Sequence, residues 1–210
     1  MAQKLVVFTS LFNSEMGGIK DLLVFLGREN EVRKIDREYQ IRKLLGPFGL
    51  EELAELYQGF SEDELKGAAF EYCRKNIIKG MKEFLLELKS QGFLIGVLSS
   101  DPQFMMDISK EILGFDFAEG SHLEFQNNIA SGRLKKKVDR FVKAEILKEK
   151  IIEYSLVKEK IMGIGRATVV NLPIANETNF FVGFDVGRET IDDVIEAIRD
   201  NKNLAQFLSL

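Results

Sequence analysis

One cysteine and one histidine stand in a chain of 210 residues, and these scarcities close off several kinds of chemistry. Cys73 has no partner for an internal disulfide, and neither it nor His122 can anchor a thiolate or histidine cluster for zinc. The setting Phe70-Glu71-Tyr72-Cys73 reads as buried structure rather than as the surroundings of a nucleophile. No stretch approaches the length of about 18 uncharged apolar residues that a membrane-spanning helix needs. The chain opens directly into a strand, with no signal-peptide pattern, so the expectation is a cytoplasmic protein with no membrane partner. An excess of positive charge is missing too. The formal charge is -4 and the pI about 5.3, which argues against nucleic acid as a partner. The basic run Arg133 to Lys137, with Arg140 and Lys143 beyond it, reads as solvated surface.

The most telling absence is local. Lys4-Leu5-Val6-Val7-Phe8-Thr9-Ser10-Leu11-Phe12-Asn13-Ser14 is an apolar run that delivers Thr, Ser and Asn, but no acid, to its carboxyl end. Four apolar residues without alternation, Leu5 to Phe8, predict a strand covered on both faces. In open α/β sheets ligands bind at the carboxyl ends of such strands, and a hard cation there would call for carboxylate oxygens.

What is present predicts an α/β protein with an all-helical insertion. From about Gly17 to Tyr72 apolar residues recur at helical spacing (Ile19, Leu22, Leu23, Leu26; Ile41, Leu44, Leu45; Leu50, Leu53, Leu56), with a break at Gly46-Pro47. Ser61 followed by Glu64 forms a capping box ahead of Leu65 and Ala68. Strands then alternate with helices. The predicted strands are Phe93 to Leu98, Lys160 to Ile164 and Phe180 to Phe184. The predicted helices are Met81 to Ser90, Gln103 to Leu113, Phe141 to Tyr154, Ile191 to Arg199 and Leu204 to Leu208. Leu123 to Leu134, turning at Asn127-Asn128, reads as a short antiparallel excursion. The expected architecture is a Rossmann-like parallel sheet with helices on both faces. Residues 1–14 and 75–210 would form a discontinuous core, and residues 15–74 a helical cap.

The strand ends gather a candidate anion site: Thr9, Ser10 and Asn13; Ser99, Ser100 and Asp101; Lys143 at a helix start; and Arg166 after Gly165. Ser99 can exchange a hydrogen bond with a phosphate-sized anion, Lys143 can supply a point charge, and Arg166 a guanidinium fork.

The order and spacing of several landmarks make the chain resemble the haloacid-dehalogenase-like phosphatases, and among them the phosphoserine phosphatases, over nearly its whole length. They are Val6-Val7-Phe8, Gly59-Phe60-Ser61-Glu62-Asp63-Glu64-Leu65, Lys89 through Ser99, Ile112 through Ala118, Lys143-Ala144-Glu145-Ile146-Leu147, and Ile164-Gly165 leading to Leu172-Pro173. The resemblance implies an aspartyl nucleophile and an acid–base aspartate, both holding Mg²⁺, at positions filled here by Thr9 and Leu11. It implies a phosphate-binding serine and lysine, met by Ser99 and Lys143. It also implies a metal-binding aspartate where Arg166 stands, and another that falls on Val170 or Asn171. The family's substrate-gripping arginine would lie near Glu51-Glu52-Leu53, so phosphoserine is a poor fit as ligand.

The main expectation is therefore a catalytically inactive member of the fold, without cofactor, metal or catalytic residues, that binds a phosphate-like small anion or a protein. The alternative is a divergent phosphomonoester hydrolase whose acidic groups have moved, to Asp101 and Asp185. A third expectation makes the helical segment a surface for a protein partner or a second copy of the chain through Phe25, Phe48, Tyr57 and Phe60. The competing reading places those side chains inside a helical bundle.

Overall fold

Residues 3–14, 16–42, 49–184 and 191–208 are described by the computed structural model. Six strands make one sheet in the order β4-β3-β2-β1-β5-β6. β1 (Lys4–Phe8) runs parallel to β2 (Phe93–Pro102) on one side and to β5 (Ile161–Arg166) on the other. β6 (Phe180–Phe184) extends the parallel part beyond β5, and β3 (Phe117–Gln126) lies parallel to β2. Among the described strands only β4 (Ile129–Lys136) is antiparallel, closing a hairpin with β3.

The unbroken apolar run of β1 has the predicted cause. Successive side chains leave a strand on opposite faces, and both faces are covered: Val6 and Phe8 enter one apolar cluster, Leu5 and Val7 the other. Helices α5 (Met81–Ser90), α6 (Gln103–Leu113), α9 (Ile191–Asp200) and α10 (Lys202–Leu208) contribute to the first cluster. α7 (Arg140–Glu153) and the short α8 (Leu172–Asn176) pack on the other face through Ile146, Leu147 and Ile174. Mixed α/β architecture with a mostly parallel sheet flanked by helices is thus the fold.

Between β1 and α5 lie α1 (Gly18–Phe25), α2 (Glu29–Arg42), α3 (Leu50–Glu55) and α4 (Glu62–Asn76). α4 starts with the capping box read from the sequence: Ser61 Oγ accepts from the Glu64 N–H, and Glu64 accepts from the Ser61 N–H at 2.8 Å. The helical insertion is not separated from the sheet by a solvent gap. One buried cluster runs from Leu22, Leu53, Tyr57 and Leu65 through to Val97 and Met105.

Several expectations need correction. The antiparallel excursion pairs Leu123 with Leu134 as expected and adds His122 with Lys136, but β3 itself already begins at Phe117 as a parallel neighbour of β2. Asn127 and Asn128 take φ values of 50° and 68°, the left-handed pair a tight hairpin turn demands. β2 runs on to Pro102 rather than stopping at Leu98. The strongly polar α2 showed no apolar period because, of its described side chains, only Val32 is buried. The break at Gly46-Pro47, with Leu44, Leu45 and Phe48, lies outside the described residues, as does the side chain of Ile41.

Of the proposed aromatic docking patch, Tyr57 is wholly buried and its hydroxyl donates to the Ile19 carbonyl at 2.7 Å, so it belongs to the interior. Phe60 is half-buried and Phe25 exposed. Cys73 is buried, its thiol near Ser109. The basic run is largely ion-paired, Arg133 with Glu124, Lys136 with Glu119 and Lys137 with Glu51. No helix among the described residues is long and apolar enough to cross a membrane.

Candidate functional site

The sheet changes direction at β1: the chain moves outward through β2 and β3, then returns to add β5 and β6 on the other side. The carboxyl ends of β1, β2 and β5 therefore open into one crevice, as expected at such a switch point. A cavity of about 550 Å³ occupies it, with α1 to α3 over its outer side. Thr9, Ser10, Ser99, Ser100, Asp101, Lys143 and Arg166 all line it. Asn13 does not. It is exposed, its backbone N–H donates to the Asn76 carbonyl, and Ser14 lines the cavity in its place.

Asp101 is the most constrained carboxyl in the site. One oxygen accepts from the Ile19 N–H at 2.7 Å, and the other accepts from the Ser99 hydroxyl at 2.8 Å. α1 has no side-chain cap from its own sequence, so Asp101 takes the place of one from across the cavity. The approach is close: a Cβ on Gly18 would sit 2.9 Å from the Asp101 carboxyl carbon. The Ile19 peptide is held on both sides, because its carbonyl accepts from Tyr57. Burial pushes the Asp101 carboxyl above its usual range, opposed by the Ser99 and Ile19 hydrogen bonds and by the charges of Arg166 and Lys143.

Lys143 stands in the first turns of α7, whose start is capped by Asp139 accepting from the Phe141 and Val142 N–H groups. Its side chain is 3% exposed. Neither a hydrogen bond nor an ion pair engages its ammonium among the described residues. Burial brings its pKa down to about 8, while Asp101 and Asp139 pull it upward. A buried ammonium without a direct partner is costly, and it faces the cavity.

Thr9 and Asn171 make a second irregularity. The Thr9 hydroxyl and the Asn171 side-chain carbonyl are both buried without a hydrogen-bond partner among the described residues. They meet over Gly165, where an added Cβ would fall 1.8 Å from Thr9 Oγ1 and 3.2 Å from Asn171 Nδ2. Asn171 is buried, its amide donating to the Arg166 carbonyl at 2.9 Å, whereas Val170 lines the cavity.

Mg²⁺, which the fold's resemblance implies, does not fit this donor set. A hard cation needs several oxygen ligands, carboxylates above all. The described carboxylates lining the cavity are Asp36, paired with Lys20, and Asp101, already accepting hydrogen bonds from the Ile19 N–H and the Ser99 hydroxyl. Leu11 is apolar and buried, and Lys143 and Arg166 bring positive charge to the same end. Among the described residues no three His, Cys, Asp or Glu side chains gather as a metal site. Asp185 lies outside them.

No protein-family profile matches the chain. Two curated relatives do, both named phosphoserine phosphatase. The one from Archaeoglobus fulgidus is 28% identical over 99% of this chain, which spans 60% of that protein's length. The one from Methanocaldococcus jannaschii is 26% identical over 98% of each. A solved phosphoserine phosphatase with bound substrate superposes with a TM-score of 0.75 at 21% identity, over 92% of this chain and 91% of that one. A phospho-aspartyl intermediate analogue of phosphoserine phosphatase gives 0.72 at 20% identity, over 94% and 99%. The fold is the one these solved phosphoserine phosphatases share.

Sequence reasoning named the residues at the strand-end side of the cavity and missed much of the opposite wall. Met16, Lys20, Asp36 and Tyr39 also line it. The Gly17-Gly18 pair was the available signal that backbone comes close here. Nothing in the polar sequence of α2 pointed to Asp36 or Tyr39.

Proposed function

We propose that the cavity is a phosphomonoester site, and that the protein is a divergent phosphomonoester hydrolase whose acid–base group has moved from β1 to Asp101. The observation that carries this reading is the Ser99–Asp101 pair. A hydroxyl and a carboxylate stand 2.8 Å apart, with the second carboxylate oxygen fixed by the Ile19 N–H, in the same cavity as Lys143 and Arg166. Nucleophile, base and a group orienting the base are the parts such chemistry needs. The similarity to proteins named phosphoserine phosphatase supports a hydrolase over an inert protein. Residues 15–74 act in this reading as a cap on the core formed by 1–14 and 75–210.

In the proposed reaction Ser99 Oγ attacks phosphorus while its proton passes to Asp101. The bond from phosphorus to the organic oxygen breaks, and Asp101 returns the proton to that oxygen. Water then attacks the phosphorylated Ser99, giving its proton to Asp101, and phosphate leaves as Ser99 regains its hydrogen. Lys143 and Arg166 offset the charge that builds on the phosphoryl oxygens.

Phosphate release from a panel of phosphomonoesters, with and without a chelator, tests this. The purified chain should turn over at least one ester in chelator, and Ser99→Ala and Asp101→Asn should each lower the rate about 100-fold or more. Activity must rise as pH passes the elevated Asp101 pKa, since the base has to be ionised. It must fall above about 8, where Lys143 loses its proton. A specific observation favours a second reading, anion binding without turnover: neither Thr9 nor Leu11 can act as a phosphorylated carboxylate. Phosphate binding with no release of phosphate from any ester would establish that reading instead.

A further inference from the structure

The cavity has two ends of different chemistry. Beside Ser99, Lys143 and Arg166 it is polar and positively charged. Its other wall, supplied by the chain after β1 and by α1, α2 and α3, presents Phe12, Met16, Ile19, Leu50 and Leu53 beside Lys20, Asp36 and Tyr39. Leu53 lines this wall with its side chain 1% exposed. Lys20 and Asp36 are the described charged residues on this wall, and they pair with each other. A zwitterionic ligand would compete with that pair for its charges.

Size points the same way. The volume of about 550 Å³ equals on the order of eighteen waters at about 30 Å³ each, far more than the five heavy atoms of a phosphate fill. A mostly apolar pocket with a few converging polar groups suits an organic molecule held by one polar end.

From these observations, and resting on the phosphomonoester reading above, we infer that the ligand is a phosphomonoester with an uncharged, predominantly apolar body, aryl or branched alkyl, and not an amino-acid phosphate. The phosphoryl group takes Ser99, Lys143 and Arg166. The body lies against Met16, Ile19, Leu50 and Leu53, leaving the Lys20–Asp36 pair intact. Specificity then comes from desolvating apolar surface on that wall, not from charge recognition.

Calorimetric titration of the full chain with non-hydrolysable probes tests this: methylphosphonate, benzylphosphonate and the amino-acid analogue 2-amino-4-phosphonobutanoate. Benzylphosphonate should bind about tenfold tighter than methylphosphonate, as expected for burying one ring, and the amino-acid probe no tighter than methylphosphonate. Met16→Ser, at a half-buried position that need not upset the core, should reduce the ratio of benzylphosphonate to methylphosphonate affinity several-fold. If methylphosphonate binds and benzylphosphonate is no tighter, or the amino-acid probe binds best, the apolar-body inference fails while the anion site stands. If none of the three binds, both fall.

Discussion

Lys143 concentrates the tension in this molecule into one side chain. Its burial without a direct partner among the described residues stabilises nothing by itself, and in the proposed function it is there to meet a phosphoryl group. Lys143→Met should therefore raise stability at pH 7 by about 1–3 kcal/mol in urea unfolding, while abolishing phosphonate binding. The sign of the wild-type pH dependence follows. The folded pKa of about 8 lies below the unfolded value, so the unfolded chain holds more protons between the two. Stability should rise with pH from about 8 toward the ordinary lysine range, and this rise should vanish in Lys143→Met. A destabilised variant would show that Lys143 is held by a partner after all. Gly165 offers a separate test. Gly165→Ala should cost about 1–3 kcal/mol through overlap with Thr9 Oγ1, and adding Thr9→Ala should recover most of that loss in a double-mutant cycle.

Among the elements, α1 depends most on something distant in sequence. Its start lacks a local side-chain cap and is held by Asp101 at the end of β2 and by Tyr57 beyond α3. Farther along, Tyr72 in α4 donates to Asp21 at 2.7 Å. Hydrogen exchange should show the Ile19 amide losing protection in Asp101→Ala while amides of β1 are unaffected. Equal loss in both would mean that Asp101 supports the whole sheet rather than α1. α4, by contrast, carries its own start signal. Ser61→Ala should cost about 1 kcal/mol, measurable as a shifted urea midpoint. That difference explains what the sequence revealed. The capping box is local, so the start of α4 was legible from Ser61 and Glu64 alone. The dependence of Ile19 on Asp101 was not, because 82 residues separate them.

For the molecule as a whole, the helical insertion is tied to the core at a second place besides its two chain connections. The Gly59 N–H donates to the Ala130 carbonyl, the Ala130 N–H to the Phe60 carbonyl, and the Glu62 N–H to the Asn128 carbonyl. Together with the continuous apolar cluster, these bonds couple α1–α4 to the β3–β4 hairpin. Insertion and core should unfold in one transition, with the amides of Gly59, Glu62 and Ala130 exchanging at the rate of global opening. An earlier, separate opening of the insertion would refute that coupling.

The strand and helix periods, the capping box and the strand-end polar residues were determined by the sequence itself, since each depends on neighbours within a few positions. They led to the sheet, to most of its helices and to Thr9, Ser10, Ser99, Ser100, Lys143 and Arg166. Tertiary structure decided that these six share one cavity and that Asn13 lies outside it. It also decided that Asp101 clamps Ile19 beside Ser99, and that an apolar wall faces the cationic end. Burial, pairing and distance belong to three-dimensional packing, and residues far apart in sequence bring them about only once the chain has folded.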